Sequence, residues 1–229
     1  MNINLAKPTS VLFTTKHMEL LLIVCDGIRQ AEEGLLRTTG DIDSSDPGCI
    51  FWRVHHAEEL VRLISPLPES VSPSGKKYCE LDRDDPQNVY TRMLYGDTNT
   101  IEDRARQLMN GAGYATNKSD EGTEQDSSVP FTLDHMILLL TAYDAVRDLD
   151  EKLYAITNAI DHANPETAIW KLRNIDELIC QLSPIYKKLT PSGKAMSELD
   201  WNDPENVFTD VLDCYIDDIK ERARILMDG

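Results

Sequence analysis

Apolar residues recur in steps of three and four over one long stretch of the chain. Met136, Leu139, Tyr143, Val146, Leu149, Leu153, Ile156 and Ile160 share one side of a helix. So many turns in phase predict a long helix with a buried stripe. Phe131 precedes Thr132, and Met136 follows Phe131 by five residues, the spacing of a hydrophobic staple around a threonine N-cap. Phe13, Thr14 and Met18 repeat that start. There the stripe weakens beyond Gly34, and Thr38-Thr39-Gly40 predicts an early, frayed end.

A second stripe consists of Phe51, Val54, Val61 and Ile64, matched by Ile169, Leu172, Ile179 and Leu182. Asp46-Pro47 and Asn164-Pro165 supply a cap and a first-turn proline, so each stripe predicts one continuous helix. Ser65-Pro66 and Ser183-Pro184 close these helices, because proline disfavours helix in the residue before it. Ser72-Pro73 and Thr190-Pro191 predict a short helix, with Tyr78 and Leu81, or Met196 and Leu199, on its apolar side. Asp85-Pro86 and Asp203-Pro204 predict the start of a last helix. Its stripes are Val89, Tyr90, Met93, Leu94, Ile101, Ala105 and Leu108, and Val207, Phe208, Val211, Leu212, Ile219, Ala223 and Leu226. Gly96 to Thr100 predicts a kink or loop in the first of these helices only, since the second has Cys214 to Asp218 there. Gly111 stands where a glycine just past a helix end would. No alternating strand pattern is evident.

The elements come in pairs because the sequence does. Pro73-Ser74-Gly75-Lys76, Glu80-Leu81-Asp82, Asp85-Pro86 and Asn88-Val89 recur as Pro191-Ser192-Gly193-Lys194, Glu198-Leu199-Asp200, Asp203-Pro204 and Asn206-Val207, all 118 positions on. His17 and His135, Trp52 and Trp170, and Arg104-Ala105-Arg106 and Arg222-Ala223-Arg224 keep the same offset. The expected architecture is all-α, a tandem duplication of a small helical bundle with three long helices and one short helix per copy. A pseudo-two-fold would relate the copies, like a homodimer fused into one chain. The copies are residues 1–112 and 131–229, and 113–130 reads as a flexible acidic linker.

The formal net charge is −17. That excludes direct attraction to nucleic acid or to an anionic membrane surface. Solubility accounts for it. A protein partner with a basic surface, or mimicry of nucleic-acid charge against a DNA-binding protein, is the sharper reading. No apolar run approaches the ~20 residues of a transmembrane helix, and Met1 to Ser10 lacks the charged and apolar regions of a signal peptide. Five cysteines without Cys-x-x-Cys spacing point to reduced thiols in the cytoplasm, not to disulfides or zinc.

Pro-Ser-Gly-Lys resembles a phosphate loop only in part. The leading glycine of that signature is replaced by Ser70 or Lys188, and Lys77 or Ala195 follows the lysine. A turn with the lysine in solvent is expected instead. Glu80, Asp82 and Asp85, with Glu198, Asp200 and Asp203, are the weak metal candidates, being three carboxylates within six residues. Helix capping and solvent exposure explain them as well, and no cofactor is expected. His55-His56 with Glu58-Glu59 looks metal-like, but the counterpart, Arg173-Asn174 with Asp176-Glu177, does not. His17 and His135 lie about three residues into the first helix and read as solvent- or loop-facing. Asp26, Arg29 and Glu33, with Asp144, Arg147 and Glu151, read as an exposed salt-bridged ladder. One arginine of each Arg-Ala-Arg is expected to tie a carboxylate such as Glu80 or Asp82 to the bundle.

Trp52 adjoins the stripe of its helix without joining it, and its neighbours at helical spacing are His55, His56 and Glu59. Those of Trp170 are Arg173, Asn174 and Glu177. An aromatic at the edge of a polar face has the composition of an interface hot spot. An ordinary core tryptophan is the plainer alternative. The expected function is a non-enzymatic protein–protein interaction module, acting as adaptor, regulator or inhibitor, with Trp52, His55, His56, Glu59, Trp170, Arg173 and Glu177 at the partner face. The competing expectation is a metal-dependent bundle enzyme acting on a phosphorylated or nucleotide substrate.

Overall fold

The computed structural model describes residues 11–39, 49–96, 99–111, 127–157, 167–213, 216 and 218–228. The proline starts at Asp46-Pro47 and Asn164-Pro165, Cys214 and most of the expected linker lie outside those residues. The described chain is mostly helical. None of its helices is long and apolar enough to cross a membrane.

Each staple opens a long helix, α1 (Thr15–Thr39) and α6 (Leu133–Thr157). Phe13, Met18, Phe131 and Met136 are buried, as a staple requires. Just before these helices lie two short strands absent from the sequence reading. β1 (Leu12–Thr14) pairs antiparallel with β2 (Ser128–Pro130), so the end of the expected linker is a strand. Leu12 faces Pro130, and Phe13 faces Val129. Three-residue strands have no period to detect. They form because Phe13 and Phe131 stack at 5.9 Å and hold the two segments together.

The second helix is broken in both halves. In the first it consists of α2 (Ile50–Val54) and α3 (His56–Ile64), and in the second of α7 (Ala168–Leu172) and α8 (Asn174–Leu182). His55 and Arg173 form the breaks, and both keep helical dihedrals. The apolar spacing therefore stays in phase, and every residue of the two expected stripes is buried. At the second break the Asn174 amide donates to the carbonyls of Trp170 and Lys171, replacing ladder donors lost there.

The last helix is also broken twice, into α4 (Val89–Tyr95) and α5 (Ile101–Asn110), and into α9 (Val207–Leu212) and α10 (Ile219–Met227). A break was expected in the first copy only. It also starts later than Asp85-Pro86 and Asp203-Pro204 predict. Asn88 and Asn206 are the caps, accepting from the backbone N–H of Thr91 and Thr209 at 3.0 and 3.1 Å. Asp85 and Asp203 instead accept from Gln87 and Glu205, two residues on, as turn formers. At the first helical position Val207 is exposed, not part of the stripe. The expected short helix reduces to one 3₁₀ turn in each half, Tyr78–Glu80 and Met196–Glu198. The Pro-Ser-Gly-Lys segments are tight turns closed by bridges from Val71 to Lys77 and from Leu189 to Ala195. Gly75 and Gly193 adopt φ of +84° and +85° at their tips, a conformation that favours glycine.

The halves interdigitate. The helix α1 packs on α7 and α8 as well as on α5 and α3, while α6 packs on α2 and α3 as well as on α10 and α8. Gly27 lets α7 approach α1, because a Cβ there would lie 2.8 Å from Lys171 Cβ. Arg53 on α2 donates to Asp148 on α6 at 2.6 Å. One hydrophobic cluster runs through both halves.

Candidate functional site

Two arginines organise the polar interior. Arg104 on α5 is 2% exposed and Arg222 on α10 is 1% exposed. A helix end leaves its last carbonyls without partners, and a guanidinium offers five donors in a fixed plane. Arg104 Nε donates to Met93 O at 2.6 Å and Nη2 to Leu94 O at 2.6 Å, closing the end of α4. Its Nη1 donates to Asp26 Oδ2 at 2.8 Å and its Nη2 to Asp26 Oδ1 at 3.1 Å. Arg222 does the same for α9, through Val211 O at 2.7 Å, Leu212 O at 3.4 Å and Asp144 Oδ2 at 2.7 Å. This is why the last helix breaks in both halves. The arginine takes the carbonyls that a continuous ladder would use, and Asp218 caps the restart by accepting from Lys220 N. The carboxylates tied by Arg-Ala-Arg are thus Asp26 and Asp144, not Glu80 or Asp82. Asp26 is no longer one step of an exposed ladder. Arg106 and Arg224, two residues on, are exposed and pair with Asp103 and Glu221.

Around the first clamp the polar groups are densely connected. Glu58 on α3 faces α1, where Arg29 Nη1 reaches it at 3.5 Å, and His55 Nδ1 lies 3.3 Å from it. The Tyr95 hydroxyl donates to Glu58 Oε2 at 3.1 Å. The other nitrogen of His55 meets Glu32 Oε1 at 3.0 Å. Arg29 also pairs with Asp26. Arg83 lies over the Tyr95 ring at 4.2 Å. Hydrogen bonds and charge from Glu32 and Glu58 outweigh burial and raise the His55 pKa to about 10. Burial pushes the Glu58 carboxyl up, but His55, Tyr95 and Arg29 together hold it below its ordinary range. Beside this network a cavity of about 330 Å³ opens between α1 and α7, lined by Asp26, Arg29, Gln30, Glu33, Tyr95, Gly96 and Lys171.

The second half builds the same corner differently. Arg173 stands at the His55 position, and among the described residues its side chain donates only to Asp150, the counterpart of Glu32, at 3.1 Å. Arg147 Nη1 donates to Leu212 O at 2.9 Å and lies 3.8 Å from Asp213. Asp176 replaces Glu58 and meets the Tyr143 hydroxyl. Burial raises its pKa despite that bond and the nearby arginines. A cavity of about 210 Å³ adjoins it, with Val146, Ile169, Leu172 and Ile175 as its apolar wall.

The expected site residues divide. Trp52 is 41% exposed, and His56 meets its ring edge-on at 4.9 Å. Glu59 lies on the same outer side, bound to Arg62 at 2.5 Å. His55 turns inward to Glu32 and Glu58 and so leaves that face. Trp170 is half-buried, with Arg173 and Glu177 exposed beside it. The acidic cluster does not converge. Glu80 and Glu198 fold back onto the N–H groups of Lys77 and Ala195, while Asp82 and Asp200 are exposed. Among the described residues no three His, Cys, Asp or Glu side chains gather as a metal would need. His17 and His135 are capping residues. Their Nδ1 atoms accept from Thr14 N at 3.0 Å and Thr132 N at 3.2 Å, the place a Glu takes in a capping box.

Sequence reasoning assigned Tyr95 no role, placed Tyr143 only in an apolar stripe, and offered Glu58 and Asp176 only beside a metal-like cluster, not as inward carboxylates. The available signal was a carboxylate on the apolar side of the second helix, between Ala57 and Leu60 or Ile175 and Leu178, in both copies. No protein-family model matches the chain, and searches of curated proteins and of solved structures give no match either.

Proposed function

We propose that the chain is a non-enzymatic protein–protein interaction module, an adaptor, regulator or inhibitor built from two copies of one helical unit about a pseudo-two-fold axis. Pairs that keep residue type and partner across the 118-residue offset support the duplication. They include Arg104–Asp26 with Arg222–Asp144, and Ser65 donating to Leu108 O with Ser183 donating to Leu226 O. They also include the Asn88 and Asn206 caps.

The observation that carries the interaction reading is the outer side of α2 and α3. Trp52 and Leu63 stay exposed there, with His56 and the Glu59–Arg62 pair between them. Large apolar groups left in water beside polar ones have the composition of an interface core and rim. At the same step the second half has a half-buried Trp170, then Asn174, Glu177 and Gln181, which is more polar. The first half therefore carries the principal face. The net charge of −17 favours a partner with a basic surface over nucleic acid or membrane. A cytoplasmic setting fits the free thiols of Cys25, Cys49, Cys79 and Cys180.

The test is affinity purification of the tagged chain from nuclease-treated native lysate, beside Trp52→Ala and Trp170→Ala variants with unchanged circular dichroism. A stoichiometric basic protein retained by wild type and by Trp170→Ala, but lost with Trp52→Ala, is the expected result. A folded wild type that retains no protein would sink the proposal.

A further inference from the structure

The corner around Asp176 is unfinished in a way that its counterpart is not. Glu58 receives two cationic groups and a hydroxyl: His55 at 3.3 Å, Arg29 at 3.5 Å and Tyr95 at 3.1 Å. Asp176 receives the Tyr143 hydroxyl. Among the described residues no cationic side chain comes within ion-pair distance of it. The residues that closed the first corner have changed. Phe51 is replaced by Ile169, His55 by Arg173 and Tyr95 by Asp213. Arg173 turns to Asp150, leaving the cavity of about 210 Å³ where the imidazole of the first half has no counterpart.

The remaining space has a definite chemistry. Val146, Ile169, Leu172 and Ile175 form an apolar wall, and Asp176 stands beside it. Arg147 and Arg173 face Asp150, Asp176 and the neighbouring Asp213, which leaves one net negative charge among the described residues of the site. Arg222 and Asp144 cancel behind them. The volume exceeds an engineered apolar cavity of about 150 Å³ that admits benzene, and falls below the ~300 Å³ at which drug-sized sites begin. A part-buried carboxylate with no cation in direct contact is unfavourable, so a ligand that brings one positive charge gains most there.

We propose that this cavity is a binding site for a small organic monocation, an ammonium or imidazolium on a compact apolar body, with Asp176 as its counter-ion. The ligand takes the role that the side chain of His55 plays in the first half. Its apolar body lies on Ile169 and Leu172, and Arg173 remains with Asp150 at the rim. This site is distinct from the Trp52 face, so either can fail without the other.

The probes are isopentylamine and 4-methylimidazole, with isovalerate and isopentanol as anionic and neutral controls of similar body. Calorimetric titration of the full chain near neutral pH should show saturable binding of at least one cation and none of either control. Methyl NMR shifts should fall on Ile169, Leu172 and Ile175. Asp176→Asn should weaken binding at least about tenfold, the scale of one charge-assisted hydrogen bond. Ile169→Phe, which copies Phe51, should block binding by filling the space without altering charge. The proposal is overturned if neither cation binds, if isovalerate binds as well as the amine, or if the shifts map elsewhere. It is equally overturned if Asp176→Asn or Ile169→Phe binds as wild type does.

Discussion

Glu58 and Asp176 are each the third residue of their helix, α3 and α8, yet they keep opposite company. Glu58 is held by His55, Arg29 and Tyr95, and its pKa falls in spite of burial. Asp176 has Tyr143 and a cavity, and burial raises its pKa. One corner is a completed ion-pair network, and the other is a carboxylate whose direct partner is a hydroxyl. Backbone position does not decide whether a withdrawn carboxylate is favourable; the donors that reach it do. The clamp behind each corner is unchanged, since Arg104–Asp26 and Arg222–Asp144 agree in partners and nearly in distance. What the halves share is structural, and what distinguishes them lies at the rim.

The largest effect should come from breaking the shared part. Arg104→Ala would leave the carbonyls of Met93 and Leu94 without their donor and the Asp26 carboxylate without its most buried one. Arg222→Ala removes the donor to Val211 O and the buried guanidinium paired with Asp144, while Leu212 O keeps its bond from Arg147. Removing one partner of a buried pair costs about 3–5 kcal/mol, so each variant should unfold at markedly lower urea near neutral pH. A loss below about 1 kcal/mol in either, the worth of one ordinary hydrogen bond, would mean that the clamp does not hold that half together.

The helices and their buried faces were legible in the sequence because 3.6-residue periodicity survives a break that keeps helical dihedrals. His55 and Arg173 interrupt the hydrogen bonds without moving Val54 out of phase with Val61, or Leu172 out of phase with Ile179. The break between α9 and α10 was not legible, because its cause is Arg222, a residue beyond the break. The β1–β2 pair was hidden for a similar reason: Phe13 and Phe131 meet in space and are 118 positions apart in sequence. At the outer face, Trp52, His56 and Glu59 were readable from spacing alone. The direction of His55 was not, since a histidine at a break can turn either way, and only Glu32 on another helix determines it.

Neutralising the two carboxylates separates the corners by sign. Glu58→Gln removes the acceptor of two cationic partners and should cost about 1–3 kcal/mol at neutral pH. Asp176→Asn removes a charge that burial disfavours and should be neutral or stabilising by up to about 1 kcal/mol. The pH dependence follows the same signs. The depressed pKa of Glu58 contributes stability above the unfolded carboxyl value of about 4.3 and loses it on acidification. The raised pKa of Asp176 makes its penalty absent in acid and present once pH rises through its folded value. Unfolding free energies of wild type and both variants, compared from about pH 3 to 7, test this. Equal losses for the two variants at neutral pH would remove the distinction between the corners.

The smallest effect is also the most specific. His55 carries a pKa raised to about 10, from an unfolded value near 6.5. Its stabilisation is therefore complete below about pH 6.5 and declines as pH rises toward about 10. The second half has Arg173 at the same position, and a guanidinium as a group type keeps its charge where an imidazole loses it. His55→Arg should thus copy the second half and flatten the alkaline slope relative to wild type. The difference should be no more than about 1 kcal/mol, because the imidazole is more than a third exposed and solvent screens its pairs. Thermal midpoints of the two proteins from about pH 6.5 to 10 should agree at the acid end and separate at the alkaline end, with wild type lower. Parallel curves would mean that Glu58 is held by Arg29 and Tyr95 without the imidazolium. In that case Asp176 would lack the reach of an arginine, not a histidine, and a guanidinium would be the better probe for the cavity beside it.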